Sequence, residues 1–152
     1  MQMTWIGAPT VYYGDEAGVC GFTDPDNRRT YPWGKENQEL LDFHKKAIGI
    51  HRESSALRTG SLEILCGENN VVSYARFDEK EKVVVVVNRG EKKSELKIPV
   101  WRAEVPMQAE MEQVLYSFEE GYSADSVLLP VDDGNLSIEM GKNSVAILRY
   151  KS

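Results

Sequence analysis

Five consecutive valines, Val83 to Val87, constrain the fold more than any other stretch of this chain. β-Branched residues favour extended backbone, and successive side chains of a strand point to opposite faces. A strand that is apolar on both faces needs cover on both, so Lys82 to Asn88 is predicted to be the central strand of a sheet. The same run is the longest apolar stretch, far below the ~20 residues a membrane-spanning helix requires, so no membrane partner is expected.

Seven more segments carry short β patterns: Ser61 to Cys66, Val71 to Phe77, Ser94 to Pro99, Glu112 to Ser117, Ser126 to Pro130, Asn135 to Met140 and Ser144 to Tyr150. Turn-forming clusters separate most of them, including Asp78-Glu79-Lys80-Glu81, Arg89-Gly90-Glu91-Lys92, Asp132-Asp133-Gly134 and Gly141-Lys142-Asn143. Short strands at this spacing predict an antiparallel sandwich or barrel over residues 61–152.

Before Gly60 the pattern is helical. From Glu36 to about His51, Leu40, Leu41, Phe43, Ala47, Ile48 and Ile50 recur at near-helical spacing, with acids early and Lys45, Lys46 and Arg52 late, as the helix dipole favours. Ser54 to Gly60 reads as a break, and a domain boundary is placed there, separating residues 1–60 from 61–152. Further upstream, Pro9 to Tyr13 is a short β-favouring run between Gly7 and Gly14, either a strand or a loop edge. Residues 14–34 hold Pro25, Pro32 and several glycines, and predict a long structured loop of the kind that is usually functional.

That loop carries the candidate chemistry. Asp24 and Arg28 sit four apart across Pro25, and an anion beside a fork of donors can grip adjacent hydroxyls of a sugar. Trp5, Tyr12, Tyr13, Phe22, Tyr31 and Trp33 flank them, and aromatic faces suit the C–H faces of pyranose rings. The same residues also permit a structural reading, in which Asp24 and Arg28 brace the loop and the aromatics fill a core beneath it. Asp15 and Glu16 are adjacent carboxylates, but neighbours on a loop are badly placed to reach opposite faces of one sugar ring.

A formal net charge of −6 and a pI near 5.0 argue against nucleic acid, which requires a basic patch. Cys20 and Cys66 lack metal-ligand spacing and read as free thiols of a reducing compartment, hence a cytoplasmic location. Met1 to Ile6 lacks the features of a signal peptide. His44 and His51 are seven apart and could share a helix face, yet they read as helix-surface and helix-end residues, so no metal or other cofactor is expected.

The blocks GAPTVYYGDEAG and GFTDPDNRRTYPW, followed by a helix that ends in HRESSALRTG, come in an order and at distances that resemble the α-amylase superfamily, glycoside hydrolase family 13. Within it the chain is similar to the neopullulanase, cyclomaltodextrinase and maltogenic amylase group. The resemblance is specific over residues 2–60 and rests on position and β pattern over residues 61–152. It implies a mainly β fold: a Greek-key β-sandwich preceded by the last β/α unit of a truncated (β/α)8 barrel, since 152 residues are too few for a barrel of roughly 250.

The same resemblance implies that Asp24 and Arg28 contribute to a glucosyl subsite for an α-glucan or maltooligosaccharide, with Asp26 and Arg29 as weaker neighbours. It implies a parent that hydrolyses α-1,4 and α-1,6 glucosidic bonds with retention, using three carboxylates on earlier barrel strands that this chain lacks. No catalytic residue is therefore assigned, and the isolated chain is expected to be inactive. Its helix is expected to dock on the sandwich, while residues 1–34 become mobile, rearranged or paired with a second copy as a homodimer. Two other classes of function stay open: a non-catalytic carbohydrate-binding module using Trp101, Tyr116 and Tyr122, and a purely structural domain.

Overall fold

In the computed structural model, which describes residues 1–68 and 70–151, two helices precede a run of strands. Helix α1 spans Gln38–Glu53 and a five-residue helix α2 spans Ser55–Thr59. The strands are β1 (Ser61–Glu68), β2 (Val71–Phe77), β3 (Glu81–Asn88), β4 (Ser94–Ile98), β5 (Ala109–Phe118), β6 (Gly121–Ser123), β7 (Val127–Asp132), β8 (Asn135–Met140) and β9 (Ser144–Lys151). All pairings are antiparallel, and the strand order is β1-β2-β3-β9-β5-β7-β8-β4, with β6 attached to β5.

The valine run lies in β3, where every residue is buried. Val84 and Val86 enter an inner core with Met111, Leu136, Met140 and Leu148, formed where the strand path folds back on itself. Val83, Val85 and Val87 enter an outer core with Ile50, Ala56, Leu57 and Tyr74, beneath the two helices. The period of two along the strand thus divides one homopolymeric run between two cores. β5 serves both by a different device. A bulge between Gln113 and Leu115 puts the consecutive residues Val114 and Leu115 into the outer core, while Met111 faces the inner one.

The mainly β architecture agrees with the sequence reading, and all eight predicted strands are present. Two elements differ from it. The segment read as a break holds α2, because Ser54 ends one helix and starts the next: its N–H donates to the His51 carbonyl and its Oγ accepts from Leu57 N at 3.0 Å. Gly60 then closes the helix where a Cβ would lie 2.6 Å from the carbonyl oxygens of Ala56 and Phe77. The second difference is at Pro9 to Tyr13, whose residues leave a strand or a loop edge open and which the resemblance to a last β/α unit implies to be a strand; it forms no strand. Its β-favouring residues have no partner strand alongside among the described residues, and extended backbone without a ladder gains little.

The predicted docking of the helix on the sheet is present: Phe43 meets Tyr122 edge-on at 5.3 Å, and Ile50 is in the outer core. Met3, Thr4 and Trp5 pack against the same face. Thr4 Oγ1 and the Tyr74 hydroxyl share a hydrogen bond at 2.6 Å, and the Trp5 ring lies edge-on to Tyr74 at 4.9 Å. His51 Nδ1 donates to the Met3 carbonyl at 2.8 Å. Arg76, only 1% exposed, donates from Nη1 to the Trp5 carbonyl at 3.1 Å and from Nη2 to the Gly60 carbonyl at 3.0 Å. One buried guanidinium thereby joins β2, the end of α2 and the amino-terminal segment.

Across the sheet, Glu112 on β5 accepts from Ser126 Oγ at 2.9 Å and from Arg149 Nη2 of β9 at 3.1 Å. The Ser126 bond first, and then that of Arg149, hold its carboxyl below the ordinary value. The folded state therefore binds this proton less readily than the unfolded chain. Its stabilisation is present above the unfolded glutamate value of about pH 4.3 and is lost as pH falls through the lowered folded value. The urea midpoint is expected to fall on acidification through this range, and less steeply in Glu112→Gln. An acid slope identical in the variant contradicts the assignment.

Candidate functional site

The loop that carries Asp24 and Arg28 is anchored at both ends. Ala17, buried in a 3-10 turn at Asp15–Ala17, accepts from Asn37 N at 3.1 Å, and the Asn37 side chain caps α1 by accepting from Leu40 N at 3.0 Å. Between these points residues 20–30 are exposed without exception. Asn27 N donates to the Thr23 carbonyl at 3.3 Å and Arg28 N to the Pro25 carbonyl at 3.0 Å. These turns bring Asp24 and Arg28 together as the i,i+4 spacing predicts.

The pair is bidentate: Arg28 Nε lies 2.8 Å from Asp24 Oδ1, and Nη2 lies 3.0 Å from Oδ2. Arg29 grips Asp26 in the same way, with Nε to Oδ1 at 3.0 Å and Nη2 to Oδ2 at 2.9 Å. The hydrogen bond from Arg29 is the main reason the Asp26 carboxyl sits below its ordinary value. Both pairs face solvent, where an ion pair contributes little to stability. What the forks provide is geometry, two planar arrays of donors and acceptors on one exposed loop.

The aromatic residues of the loop fill no core. Phe22 is 90% exposed and Trp33 81% exposed, with Tyr31 and Trp33 in ring contact at 4.5 Å and Tyr12 and Tyr13 at 4.8 Å. Trp5 is the exception, since it packs on Tyr74. Glu16 Oε2 accepts from Gly14 N at 3.0 Å and so braces its own turn.

The three aromatics considered for a binding platform on the sandwich have separate fates. Trp101 is half exposed in a 3-10 turn at Val100–Ala103. The Tyr116 hydroxyl accepts from Gly141 N at 2.9 Å, and Tyr122 packs against Phe43. His44 Nδ1 is bonded to the Leu40 carbonyl at 2.9 Å, within its own helix. Among the described residues no group of three or more His, Cys, Asp or Glu side chains is placed to hold a metal ion, and Cys20 and Cys66 are free thiols. Among the described residues no helix is long and apolar enough to cross a membrane.

One feature the sequence reading missed is a cleft of about 350 Å3 between α1 and the β5–β6 hairpin, lined by Glu39, Phe43, Phe118, Glu119, Glu120 and Tyr122 among others. Its hairpin strand β6 has three residues, too few to show a period.

A family profile described as "Alpha amylase, C-terminal all-beta domain" matches residues 66–151, more than half of the chain. The chain belongs to that family. This α-amylase C-terminal domain is 41% identical over 104 residues to an amylopullulanase of Thermoanaerobacter thermohydrosulfuricus, covering 61% of this chain and 7% of the relative. It is 35% identical over 103 residues to a cyclomaltodextrinase of Geobacillus thermopakistaniensis, covering 65% of this chain and 18% of the relative. The solved debranching enzyme of Nostoc punctiforme superposes with a TM-score of 0.73 at 29% identity, over 97% of this chain and 29% of that one. The chain thus spans less than a fifth of the length of these two curated relatives.

Proposed function

We propose that this chain is the C-terminal portion of an α-glucan-acting glycoside hydrolase that cleaves α-1,4 and α-1,6 glucosidic bonds. Residues 1–60 complete its (β/α)8 barrel and residues 61–152 form the sandwich that covers one side of it. Asp24 and Arg28 contribute to one glucosyl subsite. The observation that carries the reading is an exposed bidentate fork on the same loop as the exposed rings of Phe22 and Trp33, the latter in contact with Tyr31: acceptors and donors for paired hydroxyls, and ring faces for sugar C–H groups. The relatives named amylopullulanase and cyclomaltodextrinase support the glucan as substrate class.

In this reading the reacting carboxylates come from earlier barrel strands, and the chain here binds and orients sugar without breaking the bond. Retaining hydrolysis requires two carboxyl groups about 5 Å apart across the scissile bond, and none of the residues assigned here supplies that pair. Exposed Ile6, Phe22 and Trp33 support pairing of the isolated chain as a homodimer through residues 1–34, which sedimentation velocity reads directly. Free Cys20 and Cys66 support a cytoplasmic location, which fractionation of the source cells tests.

Purified chain is expected to release no reducing sugar from pullulan, starch or cyclomaltodextrin, and to bind maltotriose weakly. Arg28→Ala should lower that binding about tenfold, the scale of a lost hydrogen bond to a charged group, with the melting temperature unchanged because the side chain is exposed. Release of reducing sugar above a buffer blank, or equal maltotriose affinity in the variant, rejects the assignment.

A further inference from the structure

We propose that the cleft between α1 and the β5–β6 hairpin is a second carbohydrate site, taking one glucosyl residue of an α-glucan away from Asp24 and Arg28. The proposal rests on the glucan reading above and adds a location to it. The cleft shares with the loop that carries the fork only its far anchor, Asn37, and none of residues 20–30. Its volume of about 350 Å3 lies within the range of ligand pockets, roughly 300–1,000 Å3, at the end that suits one ring rather than a chain.

Its walls are rings held in place by their neighbours. Phe118, 39% exposed, stacks on Tyr116 at 6.1 Å, and Tyr116 is itself fixed by its hydrogen bond from Gly141 N. Tyr122 is set edge-on against Phe43 from α1. Ring surfaces of fixed orientation offer sugar C–H groups a preformed contact at little entropic cost.

The rim supplies hydroxyl acceptors. Glu39 of α1 reaches the tip of the hairpin, where its Oε1 lies 2.9 Å from the position a Cβ on Gly121 would take. Glu120 adds a second carboxylate, and Glu119 is engaged by Lys142 at 2.5 Å. Carboxylates accept only, so they match a ligand rich in O–H donors and repel phosphate or any other anion. An organic cation is the competing occupant, since rings and carboxylates attract it too.

Backbone NMR of the full chain titrated with maltotriose, and separately with tetramethylammonium chloride, tests the site. Maltotriose is expected to shift the signals of residues 39–43 and 117–122. Phe118→Ala and Glu39→Gln should each weaken that response about tenfold, while Arg28→Ala leaves it unchanged. Both variants alter exposed side chains, and retained signal dispersion identifies them as folded. Shifts confined to residues 22–33 overturn this site and leave the proposed function standing, whereas no shift anywhere overturns both. A larger response to tetramethylammonium than to maltotriose assigns the cleft to a cation and overturns the sugar reading.

Discussion

Replacing Arg76 by methionine is expected to cost about 3 kcal/mol of folding stability, read as a lower urea midpoint. Methionine keeps the bulk of the side chain, so the loss isolates the guanidinium. Arg76 is almost wholly buried and faces carbonyl oxygens, not a carboxylate. Removing its two donors leaves the Trp5 and Gly60 carbonyls short of partners in a site that water reaches poorly, at about 1–3 kcal/mol for each group left unsatisfied. The effect should also be local: amide exchange in residues 3–6 should accelerate more than exchange in β3. If the loss of folding free energy is less than about 1 kcal/mol, the guanidinium is not that tie.

Leu57→Ala should cost about 2–5 kcal/mol, as other fully buried leucines do when truncated. Leu57 has no exposed surface and packs with Tyr74, Val83 and Val85 on the outer face of the sheet. Its helix has five residues and would not form in isolation, so its order comes from that packing. A loss below about 1 kcal/mol would mean that the outer core closes without α2.

Much of this arrangement is legible in the sequence where interactions are local or periodic. The valine run announces a central strand, and Asp133-Gly134, both with positive φ, marks the β7–β8 hairpin as its residue types suggest. The Asp24–Arg28 pair follows from its spacing and turn chemistry. The features that escape are those held by distant partners. Thr4 meets Tyr74 seventy positions away, and Trp5 meets Arg76 across a similar gap, so nothing near residue 4 signals its burial. α2 depends on one serine acting at two helix ends, and the cleft depends on a hairpin strand too short to have a pattern. Pro9 to Tyr13 fails in the opposite sense, since its local preference is for strand and its surroundings provide no partner.

The position of β9 has a consequence for biosynthesis. This strand, the last described, lies between β3 and β5 in the middle of the sheet. A nascent chain can pair β1, β2 and β3 as a meander while translation continues, but the halves of the sheet have no seam until residue 151 has cleared the ribosome. For that interval the valine strand has an open edge, the kind of surface that chaperones shield and that drives aggregation. A premature stop that removes β9 would make that open edge permanent, so such products are expected in inclusion bodies or to be degraded by proteases, whatever remains of the residues upstream.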